Sequence, residues 1–166
     1  MKDRGLYLLV LRLKKAQKIK AGKLPETYFS SGCYLYVGRA KRGLKKRIER
    51  HLRKNKKLFW HIDYFLRKAE VMDVWIKLNS FNECRIVRQI RKFIENSVVP
   101  QKKFGASDCR CPSHLLYLPE ADDPKNLRRK LPLTSSGLFK LKNHPAEPEK
   151  NISAKMGRVK GGEKTL

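Results

Sequence analysis

Gly32-Cys-Tyr-Leu-Tyr-Val-Gly38, followed closely by Leu44-Lys-Lys-Arg-Ile-Glu-Arg-His-Leu52, decides how this chain folds. The first stretch is almost wholly apolar or aromatic and is bounded by glycine, the pattern of a strand. The second places Leu44, Ile48 and Leu52 four apart, which is one face of a helix. Upstream, Gly5-Leu-Tyr-Leu-Leu-Val-Leu-Arg-Leu13 has the length and composition of a buried strand. Lys14 to Ser31, with Gly22 and Pro25, reads as a basic connection. Downstream, Trp60 to Lys68 reads as a short helix and Val71-Met-Asp-Val-Trp-Ile-Lys-Leu78 as a third strand. Phe81 to Asn96 follows as a helix packed through Ile86, Val87, Ile90, Phe93 and Ile94. This order predicts an α+β fold, a small three-stranded, mostly antiparallel sheet flanked by helices.

The domain is expected to occupy residues 1–118, with residues 119–166 as a basic, proline-containing and flexible or loosely docked extension. Residues 1–119 hold 29 basic and 9 acidic residues; residues 120–166 hold 11 and 6. Asp123-Pro124, Leu131-Pro132, His144-Pro145, Glu147-Pro148 and Gly161-Gly162 punctuate the extension. Its one apolar patch, Leu138-Phe139-Lys140-Leu141, can pack back on the domain or dock on a partner.

The whole chain has 166 residues, 40 Lys plus Arg against 15 Asp plus Glu, and a net charge of +25. One excess positive charge for about every seven residues is far more than solubility needs and points to a polyanion partner. A hydrophobic content of 40% excludes full disorder. Apolar runs such as Leu6 to Leu11 are too short to span a bilayer, and Met1-Lys2-Asp3-Arg4 opens no signal peptide. Four cysteines are too few for a disulfide scaffold. A cytoplasmic, nucleic-acid-facing protein with no membrane association is therefore expected.

Arg39 to Lys57 holds 11 Lys or Arg in 19 positions, opposed only by Glu49. Arg39, Lys41, Arg42, Lys45, Lys46, Arg50, Arg53 and Lys54 are the candidate nucleic-acid contacts. Each phosphate neutralised on duplex DNA adds about −0.9 to the log–log salt slope. The plainer reading is a solvated helix face.

Gly5-Leu6-Tyr7 opens the first strand, Tyr36-Val37-Gly38 closes the second, and Lys46-Arg47-Ile48-Glu49-Arg50-His51 follows on the helix. Together these resemble the GIY-YIG nuclease superfamily, from Gly5 to about Leu118. The resemblance is closest to a prokaryotic branch carrying Trp60-His61-Ile62-Asp63-Tyr64 and Ser107-Asp108-Cys109-Arg110-Cys111-Pro112-Ser113-His114. It implies a metal-dependent endonuclease that hydrolyses phosphodiesters, on DNA in preference to RNA, through one Mg²⁺ or Mn²⁺.

By that resemblance Tyr7 takes or relays the proton of the attacking water, although a phenol of pKa about 10 needs help to do so. Tyr36 orients or relays, and Gly38 permits a close backbone approach. Arg47 offers paired donors to phosphate oxygens, which lysine matches poorly. His51 lies one turn further along the same helix. Glu83 is the implied metal ligand, since one carboxylate with waters suits Mg²⁺ or Mn²⁺. Against this, Ser80-Phe81-Asn82-Glu83 fits a capping box, which would make Glu83 structural. Asp63, Asp73 and Asp108 are the few other acids nearby, too sparse a set for a two-metal mechanism.

Cys84, Cys109, Cys111 and His114 form a possible zinc set, with positioning of Asp108 or His114, or plain buried thiols, as the alternatives. His61 and Asp63 either orient site groups or belong to a helix anchored by Trp60, Tyr64 and Phe65. A non-catalytic nucleic-acid-binding module with the same basic surface is the rival function. A polybasic membrane-surface protein is a weaker third, because it calls for an amphipathic basic helix with no acidic site.

Overall fold

The computed structural model describes residues 3–121, 123–131 and 138–140. Its elements run β1 (Gly5–Leu13), β2 (Gln17–Ile19), β3 (Thr27–Phe29), β4 (Gly32–Ala40), α1 (Leu44–Leu52) and α2 (His61–Leu66). They continue with β5 (Glu70–Leu78), α3 (Glu83–Phe93), β6 (Leu115–Leu118), α4 (Pro124–Lys130) and β7 (Leu138–Lys140). The fold is α+β. The main sheet is antiparallel in the order β6-β4-β1-β5, with short β7 added on the β5 edge, and β2-β3 form a separate hairpin.

The three long strands are those read from the sequence, but the sheet is wider than three strands. Leu115–Leu118 pairs with β4 and Leu138–Lys140 with β5. Strands of three or four residues carry too little alternation to stand out before a partner edge is known. The backbone of Leu138–Lys140 therefore pairs back on the domain as an edge strand, while Leu141 lies outside the described residues. The boundary drawn at 118 falls inside the folded body, since Leu127 and Leu131 are both buried in its core. Prolines and charge mark this segment as an extension, yet two leucines four apart are enough to seat one helical turn.

β1 and β4 are buried on both faces, which explains their nearly unbroken apolar runs. Side chains alternate across the sheet, so Leu6, Leu8 and Val10 meet Ile86, Val87 and Ile90 of α3. Tyr7, Leu9 and Leu11 instead share a layer with Leu44 and Ile48 of α1 and Ile62 and Phe65 of α2. Asp3 starts α1, as its carbonyl accepts from Leu44 N at 3.1 Å and its carboxylate from Lys45 N at 3.0 Å. Between Val10 and Leu11 the β1-β5 register slips, leaving Met72 as an extra, exposed residue. Among the described residues, no helix is long and apolar enough to cross a membrane.

Candidate functional site

A cavity of about 710 Å³ opens where the ends of β1 and β4 meet α1, α3 and the loop before β6. Tyr7, Tyr36, Arg47 and Glu83 all line it. Antiparallel pairing puts Tyr7 directly opposite Gly38. A Cβ at Gly38 would lie 2.3 Å from the Tyr7 ring, so the glycine that closes β4 makes room for the tyrosine of β1. Gly105 does the same for Tyr36: its φ is +67°, and a Cβ there would stand 2.9 Å from that ring.

Behind Tyr7 lies a buried polar chain. Tyr7 Oη is 2.8 Å from His51 Nε2, and His51 Nδ1 faces Asp63 Oδ1 at 3.8 Å. The latter is an electrostatic contact rather than a hydrogen bond, and Nδ1 is otherwise buried without a partner. With a proton on Nδ1 facing the carboxylate, Nε2 is free to accept from the tyrosine. Burial lowers the His51 pKa against the opposing pull of Asp63, so the ring is neutral near pH 7. Burial raises the Tyr7 pKa, with Tyr36 adding to the rise and Arg47 opposing it.

Asp63 is fully buried and makes both 2.9 Å contacts of a bidentate pair with Arg50. It also accepts from the backbone N–H of Phe59 and Trp60, each at 2.9 Å. Burial alone would raise its pKa, but His51, Arg50 and these N–H groups hold it well below the usual carboxylate range. The guanidinium carbons of Arg47 and Arg50 stand 4.6 and 4.2 Å from the Trp60 ring centroid. Arg47 also donates to the Arg39 carbonyl at 3.4 Å. One indole ring thus packs against both arginines, of which only Arg47 lines the cavity.

Glu83 enters from α3. Its capping-box reading does not survive, because the N-cap is Asn82, whose side chain accepts from Arg85 N at 2.9 Å. The helix begins two residues later than a Ser80 cap requires. Glu83 is therefore its first residue, with its carboxylate turned to the cavity. Arg39 reaches both Glu83, at 3.3 Å, and Asp108, at 3.2 Å. Burial raises the Glu83 pKa, its own backbone N–H and Arg39 oppose this, and Asp108 adds to it.

Beside that carboxylate sit three thiols and an imidazole. The ligand atoms of Cys84, Cys109, Cys111 and His114 all lie within 4.8 Å of one another, a group that can hold a metal ion. Cys84, Cys109 and Cys111 are in no disulfide. Burial, with help from neighbouring thiols, pushes Cys111 up to about 12. His114 also lines the main cavity, so cluster and cavity share a wall.

A family match covers residues 6–134, most of the chain and the whole of this site. The chain belongs to the family described as domain of unknown function DUF123. No curated protein and no solved structure matches it.

Within this DUF123 domain the basic residues part company. Arg39, Lys41 and Arg42 line the cavity. Lys45, Lys46, Arg53 and Lys54 are exposed outside it, and Arg50 is committed to Asp63 and to the Lys57 carbonyl. Asp73 is spent on the Trp75 indole at 2.9 Å and does not line the cavity. His61 accepts from Gly105 N at 3.0 Å and so fixes the loop beneath Tyr36. Sequence reasoning missed Trp60 as the shelf for two arginines, and Gly105 and Ser107 as cavity wall. The pairing of Arg47 and Arg50 was legible, three residues apart on one helix, but only folding brings the Trp60 indole against them.

Proposed function

We propose that this protein is a metal-dependent endonuclease hydrolysing phosphodiester bonds in nucleic acid, DNA in preference to RNA, in the cytoplasm. The carrying observation is the convergence of Tyr7, Arg47 and Glu83, far apart in sequence, on one cavity with a basic rim. The likeness of the same residues to the GIY-YIG nucleases supports the reading independently of their placement.

Glu83 fits a single Mg²⁺ or Mn²⁺. It is a mostly buried carboxylate whose raised pKa reflects incomplete compensation of its charge, and such ions take one or two carboxylates plus phosphate oxygens and water. The ion, when bound, supplies positive charge to the phosphate and a more acidic water. The protein's own residues do the rest. Arg47, held against Trp60, presents its donors to two phosphate oxygens and stabilises the charge that builds on them. Tyr7 takes a proton from the attacking water as it passes its own to His51 Nε2. This coupling matters because burial makes a free phenolate unfavourable at Tyr7 while keeping His51 ready to accept. Asp63 stabilises the imidazolium so formed, and the Cys84, Cys109, Cys111 and His114 set takes zinc rather than magnesium, as soft ligands do.

Nicking and linearisation of plasmid DNA with Mg²⁺ or Mn²⁺ tests this. Glu83→Ala and Arg47→Ala should each cut at a rate roughly 10²–10³-fold below wild type. Wild type that binds linear and branched DNA and RNA but cuts none of them would leave a non-catalytic binding module. One observation favours that second reading: Arg39 already satisfies Glu83 in part without an ion.

A further inference from the structure

We propose that Cys84, Cys109, Cys111 and His114 bind one zinc ion that clamps the start of α3 to the 103–114 loop, and so sets where Glu83 and Asp108 stand. The clamp stands on geometry alone; its consequence for catalysis rests on the nuclease reading above.

Two distances carry the site. His114 Nε2 is 3.7 Å from Cys84 Sγ and 3.4 Å from Cys109 Sγ. Zinc bonds of about 2.3 Å to sulfur and about 2.0–2.1 Å to nitrogen, at the tetrahedral angle, give a sulfur–nitrogen edge of about 3.5 Å. The observed pair brackets that value, and buried Cys111 supplies the fourth corner within the same 4.8 Å group. The imidazole is also oriented as a ligand, with Nε2 facing both sulfurs.

The chain around the cluster calls for such a link. From Ile94 to His114 it has no helix or strand beyond a single bridge at Val98. Segments of that length are uncommon in compact domains unless functional or mobile. This one is knitted to itself instead: Lys103 Nζ reaches the Cys109 carbonyl at 2.8 Å, and His114 N the Phe104 carbonyl at 2.8 Å. Three of the four ligands come from it, and the fourth, Cys84, is the residue after Glu83. The same loop carries Asp108, which shares Arg39 with Glu83. An ion joining Cys84 to the loop therefore fixes both carboxylates relative to Arg39, which neither segment does through its own hydrogen bonds.

Full-length protein purified without chelator should carry about one zinc per chain, and cobalt exchange should give the thiolate charge-transfer and tetrahedral d–d bands of a sulfur-rich site. Chelation should speed amide exchange at residues 83–87 and 103–114 while β1 and β4 stay protected. Cys111→Ser and His114→Gln should lose the metal; if either fails to fold, the chelation experiment on wild type decides. Protein without zinc whose cobalt form lacks a thiolate band, whether the thiols are merely buried or oxidised to a disulfide, overturns the site. Unchanged exchange after zinc removal overturns the clamp. Zinc-depleted protein should keep its DNA affinity and cut roughly 10–100-fold more slowly. Undiminished cutting overturns the effect on Glu83. Zinc-loaded wild type that never cuts strikes at the nuclease reading and leaves the exchange result standing.

Discussion

Alternate residues of β1 face two different interiors. Leu6, Leu8 and Val10 enter a mostly aliphatic layer under α3 and α4 that also holds Trp75 and Cys111. Tyr7, two strand positions over from Leu9, enters a layer under α1 and α2 that also contains His51 and Asp63. Burial is near complete on both sides. The α3 face is held by removal of apolar surface from water and is indifferent to which atoms touch, provided they fill space. The α1-α2 face depends on matched donors and acceptors around charges taken out of water, where one missing partner is costly. One strand thus separates a mainly apolar layer, which also holds the Cys84, Cys109 and Cys111 thiols, from a layer built on buried hydrogen bonds and charges, and the separation can be broken from either side.

The largest effect is expected from Asp63→Ala. It strands Arg50 and the Phe59 and Trp60 N–H groups, and urea unfolding should show a loss of about 3–5 kcal/mol. Cutting should fall with it, measured at a temperature where the variant is folded, because His51 loses its carboxylate and α2 its N-terminal anchor. If Asp63→Ala is as stable as wild type, the polar layer is not what holds α1 to α2.

Leu8→Ala should cost nearly as much, about 3 kcal/mol for a leucine with no exposed surface. Here, however, DNA affinity and cutting should be unchanged while the protein is folded. A change in either would mean that the two layers communicate through the sheet.

The smallest effect separates the faces by pH. The His51 pKa is lowered on folding, so its contribution to stability is complete above the ordinary 6.5 and declines as pH falls below it. The Asp63 pKa is lowered from 3.8, so its contribution is complete above 3.8 and is lost only in stronger acid. Tyr7, Asp63, Arg50 and Lys56 are the groups facing His51. Unfolding free energies from urea titrations should be level from pH 7.5 to 6.5 and then fall by up to about 1.4 kcal/mol per pH unit for each such group. His51→Gln should lessen that first decline, leaving the share of His61 and His114, whose pKa values burial also lowers, and Leu8→Ala should leave its shape alone. Cutting should fall over the same interval as pH drops, since only the neutral ring accepts a proton from Tyr7.

Much of this could be read in advance where local pattern is strong. β1 spans Gly5–Leu13 and α1 spans Leu44–Leu52, the limits that apolar run and four-residue spacing mark. The β2-β3 hairpin was hidden in a basic connection because three-residue strands have no period to detect. For the site, residue types were legible and relationships were not. Nothing in Ser80-Phe81-Asn82-Glu83 says that Asn82 rather than Ser80 begins the helix, because both side chains cap well. Arg50 reads as one more phosphate contact until Asp63 is seen beneath it.

The amino-acid order alone determined the strongly basic character, the three long strands, the helices between them and the inventory of reactive groups. These depend on composition and on neighbours within a turn or two. Tertiary structure decided which groups meet: Tyr7 with His51 and Gly38, Glu83 with Arg39, Cys84 with the distant cysteines and His114. Those meetings depend on strand register and on a long irregular loop, where the closing contacts lie tens of residues apart and leave no local periodicity.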